Sequence, residues 1–184
     1  MTYGVGRISY PAVKSKEAHM GNRNEDHKRI CRIFNLRRSK EKLEQLLLTN
    51  FRDGAQLVTL TYGPGTRVPA IATAIRQLQD WVRTVRRVLG YEFLYVRAIE
   101  WEDREHGHHV HRVVLGLPAA TVADIVPIWE YGPVTVQAVQ GEELEAVAEL
   151  MMAQAIKAGQ GPARKKRVWT PSFGMLRPGM DKDA

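Results

Sequence analysis

One cysteine, Cys31, in 184 residues rules out an internal disulfide, so nothing ties the chain to an oxidising compartment. No apolar run approaches the roughly 18 residues needed to cross a bilayer. The N-terminal stretch MTYGVGRISYPAVKSKE has no secretory hydrophobic core. With neither staple nor anchor, the expected setting is the cytoplasm. There is no internal repeat and no low-complexity tract, which argues against a solenoid or a tail-like chain. Acidic residues are in deficit: 20 against 27 basic, a net charge of +7 and a pI near 9.7. That excess favours a polyanionic partner, nucleic acid first. It is concentrated at the two ends. Residues 1–53 hold 12 Lys/Arg against 6 Asp/Glu, and residues 164–167 read Arg-Lys-Lys-Arg.

What is present is a globular composition, 44% hydrophobic and 26% charged, long enough for one domain. Residues 1–27 mix Gly, Pro, Ser, Asn and charge without period and are expected to form a flexible basic arm. A helix is expected over about 25–48, carrying Ile30, Ile33, Phe34, Leu43, Leu46 and Leu47. Its cluster Arg37-Arg38-Ser39-Lys40 suits either a solvated amphipathic face or a DNA contact. Gln56 to Tyr62, rich in β-branched residues and ending at Gly63-Pro64-Gly65, reads as the first core strand.

After Pro69, the residues Ile71, Ile75, Leu78, Val82, Val85 and Leu89 recur at helical steps, and Gly90 closes the helix. Phe93 to Glu100 and His109 to Leu115 read as a hairpin around a polar loop. Pro118 to Trp129 reads as helical, frayed at Pro127, and Val134 to Val139 as a fourth strand. After Gly141 comes a last helix with a stripe of Leu144, Val147, Ala148 and Met151, then a basic segment with a short ordered piece at 168–170. The order β-α-β-β-α-β plus a C-terminal helix predicts an α+β fold. It is the ferredoxin-like arrangement, an antiparallel sheet with helices on one face. One domain is expected over 28–178, with its core at 55–158, its basic C-terminal segment at 159–178 and a tail at 179–184.

Four of the six histidines (His106, His108, His109, His111) fall within six positions. His109 and His111 flank Val110 in a strand-like run, so both imidazoles project from one sheet face, about 7 Å apart along the backbone. Imidazole is the commonest protein metal ligand near neutral pH. If the hairpin brings Glu100 opposite the pair, two imidazoles and one carboxylate suit a catalytic Mg²⁺, Mn²⁺ or Zn²⁺. The alternative is a polar cluster at a strand start, with no metal. Basic residues at both ends (Arg37, Arg38, Lys40; Arg164, Lys165, Lys166, Arg167) would hold phosphates, and Trp169 and Phe173 would stack on bases. Core packing is the competing role for both aromatics.

Leu57-Val58-Thr59-Leu60-Thr61-Tyr62 resembles the first-strand motif of rolling-circle replication initiators, and His109-Val110-His111 resembles the His-hydrophobic-His motif that names the HUH endonucleases. The surrounding order is similar over residues 28–178: Asn50 to Gly54 before the first strand, Ile99-Glu100-Trp101 ending the second, and Trp169 to Ser172 after the last helix. The likeness is to short initiators of phages and mobile elements in Gram-positive bacteria. It implies a metal-dependent nickase acting on single-stranded or hairpin origin DNA, working with a host helicase and polymerase. His109 and His111 match the metal pair, and Glu100 the acidic third ligand. In such proteins a helix-borne tyrosine attacks the phosphodiester, in a run like Ala-Glu-Tyr, two residues, then Lys. Here Ala148-Glu149 is followed by Leu150, with Ala153 at the lysine position, and no tyrosine follows Tyr131. A hydrocarbon has no nucleophile. The resemblance therefore leaves three expectations: an inactive or engineered variant, a DNA-binding regulator that no longer nicks, or a displaced tyrosine, for which Tyr131 is the candidate. An RNA-binding ferredoxin-like domain is a further alternative, although the first strand lacks that family's aromatics.

Overall fold

A computed structural model describes residues 15–64, 66, 69–101, 109–158 and 167–178, with side chains from residue 25 onward. Its centre is a five-stranded antiparallel sheet of β1 (Ala55–Thr61), β2 (Tyr95–Trp101), β3 (His109–Leu115), β4 (Val134–Val139) and β5 (Trp169–Pro171). The strand order is β4-β1-β3-β2-β5. β3 lies in the middle, pairing Leu60 with His111 on one side and Ile99 with His111 on the other. The α+β, ferredoxin-like expectation is met. The short ordered piece near 168–170 proves to be an edge strand, with Trp169 paired to Ala98.

Alternation along the strands divides the buried side chains into two clusters, one on each face. Val58, Leu60, Val113 and Leu115 face α2 (Ile71–Leu89) and α3 (Ala119–Ile125). Leu57, Val96, Ala98 and Val114 face the other way, against α1 (Ser15–Phe51) and α4 (Leu144–Ala158). The two crossover helices thus share one face as the element order requires. The expectation that helices occupy one face alone is corrected, because α1 and α4 cover the second face with Leu43, Leu47, Val147 and Met151. Each such buried aliphatic side chain contributes roughly 1.5–3 kcal/mol.

α2 has the boundaries its periodicity predicts. Gly90 ends it in the left-handed region (φ 74°) and donates its N–H to Arg86 O. The first helix differs: α1 starts at Ser15, so residues 15–27 belong to a helix and not to an irregular arm. Residues 1–14 lie outside the described residues. Along α1 the apolar side chains become buried only from Leu43 onward, while Ile30 and Phe34 are exposed. A helix with no buried stripe gives a periodicity argument nothing to detect.

Candidate metal and nucleic-acid site

The register fixes which side chains meet. β3 directs His109, His111, Val113 and Leu115 towards α2 and α3, and Arg112 and Val114 towards α1 and α4. His111 is fully buried and His109 nearly so. His109 Nε2 lies 2.8 Å from Pro69 O. A carbonyl can only accept, so Nε2 carries the proton and Nδ1 keeps a lone pair. The same logic runs through a relay at His111. Tyr62 Oη donates its proton to Gln77 Oε1 at 2.7 Å. It can then only accept from His111 Nε2, 3.3 Å away. His111 Nδ1 is left as a second bare lone pair. Both Nδ1 atoms are buried and without a hydrogen-bond partner. Buried polar atoms in this state are uncommon and call for a missing partner.

Burial, then His109, then Arg97 push the pKa of His111 down to about 3, so the ring stays neutral and able to bind a cation. The unfolded chain protonates this residue near the ordinary value of about 6.5. Between those two values the unfolded state holds the extra proton, so stability falls as pH drops. The slope from this group alone is up to about 1.4 kcal/mol per pH unit. Urea titrations at pH 7, 5 and 4 in chelator should show His111→Gln losing less stability than the parent over that window; equal losses would contradict it.

Around the pair stands an aromatic group. The Tyr62 ring lies 6.4 Å from His109, 6.0 Å from His111, 5.7 Å from Trp129 and 6.1 Å from Tyr131. Trp129 stacks edge-on to Tyr131 at 4.9 Å and donates its indole N–H to Thr61 O. Tyr62 is buried, which raises its pKa above the ordinary phenol value, with Tyr131 adding to the effect. Tyr131 reaches solvent at 36% exposure. The ends of β1 and β4 hold this group together through Gly63 N–H to Tyr131 O and Thr61 N–H to Pro133 O.

The family model for replication-associated protein ORF2 matches residues 55–155, more than half of the chain, from the first residue of β1 into α4. The chain belongs to that family. No curated protein and no solved structure matches it. In this replication-associated protein no described helix is long and apolar enough to cross a membrane.

Several sequence-derived placements need correction. Glu100 pairs with Val110, the residue between the two histidines, and so points to the opposite face. There it grips Arg112, Oε1 to Nε at 2.6 Å and Oε2 to Nη2 at 3.1 Å. Among the described residues no set of three His, Cys, Asp or Glu side chains is grouped to hold a metal. The connecting loop, with Glu102, His106 and His108, lies outside the described residues.

Leu150 is exposed on α4, the helix that packs across the face opposite the rings. One turn on, Gln154 Oε1 accepts Trp101 N–H at 2.5 Å, which brings α4 to the β2 end that pairs with His109. Trp169 packs on the α1/α4 core and donates its indole N–H to Ser39 Oγ, so its role is structural. Phe173 is 99% exposed. Arg37 and Arg38 are exposed on α1, while Lys40 pairs with Glu44. Arg164, Lys165 and Lys166 lie outside the described residues; Arg167 is described and borders a small cavity beside His111.

Sequence reasoning missed Tyr62, Gln77, Trp129 and Pro69 as companions of the histidines. Tyr62 was within reach, because alternation along β1 puts 58, 60 and 62 on one face. The others depend on tertiary contact.

Proposed function

We propose that this protein initiates rolling-circle replication as a metal-dependent, site-specific single-strand DNA nickase. The observation that carries the reading is the pair of buried, unpartnered Nδ1 lone pairs on His109 and His111, in a chain of a replication-associated family. Two neutral imidazole nitrogens fit a divalent cation, Mg²⁺ or Mn²⁺ first and Zn²⁺ next, as the protein's share of its ligands. Such an ion supplies charge stabilisation at a phosphodiester oxygen when bound.

The chain's own contribution is to aim the rings. Pro69 O and the Tyr62–Gln77 relay hold both Nε2 atoms. Tyr131 is our candidate nucleophile, since it alone among the described tyrosines combines solvent access with a place beside the histidines. Its Oη forms a bond to phosphorus as the bond from phosphorus to the 3′ oxygen breaks. The tyrosine proton passes to solvent, and the departing oxygen takes one up to leave a 3′-hydroxyl.

A second reading rests on Leu150, a hydrocarbon where the resemblance expects the nucleophile: a DNA-binding replication or transposition regulator that does not nick. RNA binding by an open sheet face fits less well, because helices cover both faces of the central strands.

Incubation with Mn²⁺ and single-stranded origin-like DNA is expected to give a covalent protein–DNA adduct that Tyr131→Phe abolishes. Binding without any adduct, and adduct formation only after Leu150→Tyr, would establish the second reading instead.

A further inference from the structure

Arg97 lies on β2 opposite Val113, on the histidine face of the sheet. It is half-buried, and none of the ion pairs among the described residues includes it. The other arginine inside the sheet, Arg112, has a two-pronged carboxylate partner. Holding a guanidinium partly out of water with no counter-charge costs solvation free energy, and burial lowers the pKa of Arg97. A cavity of about 40 Å³ opens beside it, lined by Arg97, His111, Arg167 and Thr170, with Ile75 and Leu78 of α2 as its apolar wall. At about 10–15 Å³ per water, that is room for a group of a few heavy atoms and not for a base. Two guanidinium groups and a hydroxyl are hydrogen-bond donors, and an arginine fork matches phosphate geometry. Arg167 is also the last residue of the Arg-Lys-Lys-Arg run, so the basic tract leads by sequence to the cavity's rim.

We propose that Arg97, with Arg167 and Thr170, forms a phosphate-binding pocket that seats a backbone phosphodiester of single-stranded DNA beside His111. This rests on the reading that the histidine pair acts on DNA, and it adds the residue that positions the phosphate. Neither acidic substrates in general nor nucleobases fit the pocket's size and charge as well. Arg97 is expected to contribute to affinity before any chemistry occurs.

The test uses the full chain, a fluorescein-labelled oligothymidylate and chelator, with anisotropy measured over a range of salt. Losing one phosphate contact on a single strand should reduce the slope of log K against log salt by about 0.7. Arg97→Gln should show that reduction, with affinity weaker by about tenfold or more at low salt. Arg97→Lys should keep the slope but bind less tightly, because it keeps the charge and loses the fork. Arg83→Gln, on the exposed side of α2 where Arg83 pairs with Asp80, should leave the slope unchanged. An unchanged slope for Arg97→Gln, or an equal drop for Arg83→Gln, overturns the pocket. If Arg97→Gln does not fold, an Arg97→Lys protein that matches the parent in both slope and affinity overturns it too. Nicking is scored separately. A parent that nicks while Arg97→Gln keeps its slope sinks the pocket alone; a parent that never nicks, with the slope effect intact, leaves the pocket standing in a DNA-binding protein.

Discussion

Mn²⁺ is expected to raise the melting temperature of the parent protein and to leave that of a His109→Ala/His111→Ala variant unmoved. A ligand that binds only the folded state stabilises it by RT ln(1 + [L]/Kd), about 2.7 kcal/mol at a hundred times Kd. The double variant removes both bare Nδ1 atoms and with them the donors we assign to the ion. Changing groups that merely orient a metal ligand usually costs about 10–100-fold in affinity, so loss of both ligands should exceed that range. The variant will also start from a lower melting temperature, since His111 is fully buried and its side chain fills part of the α2-side core. The diagnostic quantity is therefore the shift on adding Mn²⁺, measured within each protein. Equal shifts in parent and variant would refute the assignment, whatever the baseline does.

Gly132→Ala is expected to cost about 3 kcal/mol or more, read from the midpoint of urea unfolding. A Cβ at this position would sit closer than 3.0 Å to three backbone atoms, Gly63 N, Thr61 O and Tyr62 C. Backbone cannot swing aside as a side chain can, so the ends of β1 and β4 would have to part. Tyr62 and Tyr131 ride on those ends, and adduct formation should fall along with stability. Gly90→Ala is the contrast. Its Cβ would meet nothing within 4 Å, so only the positive φ is strained and the cost should stay near about 1–2 kcal/mol. A Gly132→Ala protein no less stable than Gly90→Ala would mean that the two chain segments do not meet this closely.

The elements that bury one clear face were legible beforehand. α2 was readable from Ile71 to Gly90 because its stripe runs unbroken, and β3 and β4 because β-branched residues cluster between turn residues. The histidine pair was legible for the same reason, as two polar groups in an apolar strand. Glu100 was not, because its placement depended on hairpin register, and a slip of one residue turns a side chain to the other face. The loop that sets this register gives no sign of its parity in the sequence. The companions of the rings were hidden for a different reason. Pro69, Gln77 and Trp129 meet the histidines only once α2 and the segment before β4 have docked. Arg97 passed as one more basic residue, because sequence cannot show that a charge has no partner. The second helical layer was missed because the element order speaks only for the two crossover helices.

The placement of β3 between β1 and β2 bears on how the molecule folds. Its neighbour on one side comes from far back in the chain, Leu60 against His111, while on the other side Trp101 pairs with His109 across a single hairpin. Closing the longer loop is the slower event, since its entropy is lost before any contact repays it. The hairpin can therefore form early, but its histidines acquire their tautomers only when β1 arrives with Tyr62 and the segment holding Pro69 follows. Ring orientation is then a late marker of folding. Following the imidazole signals of His109 and His111 during refolding would report completion of the sheet, not its nucleation.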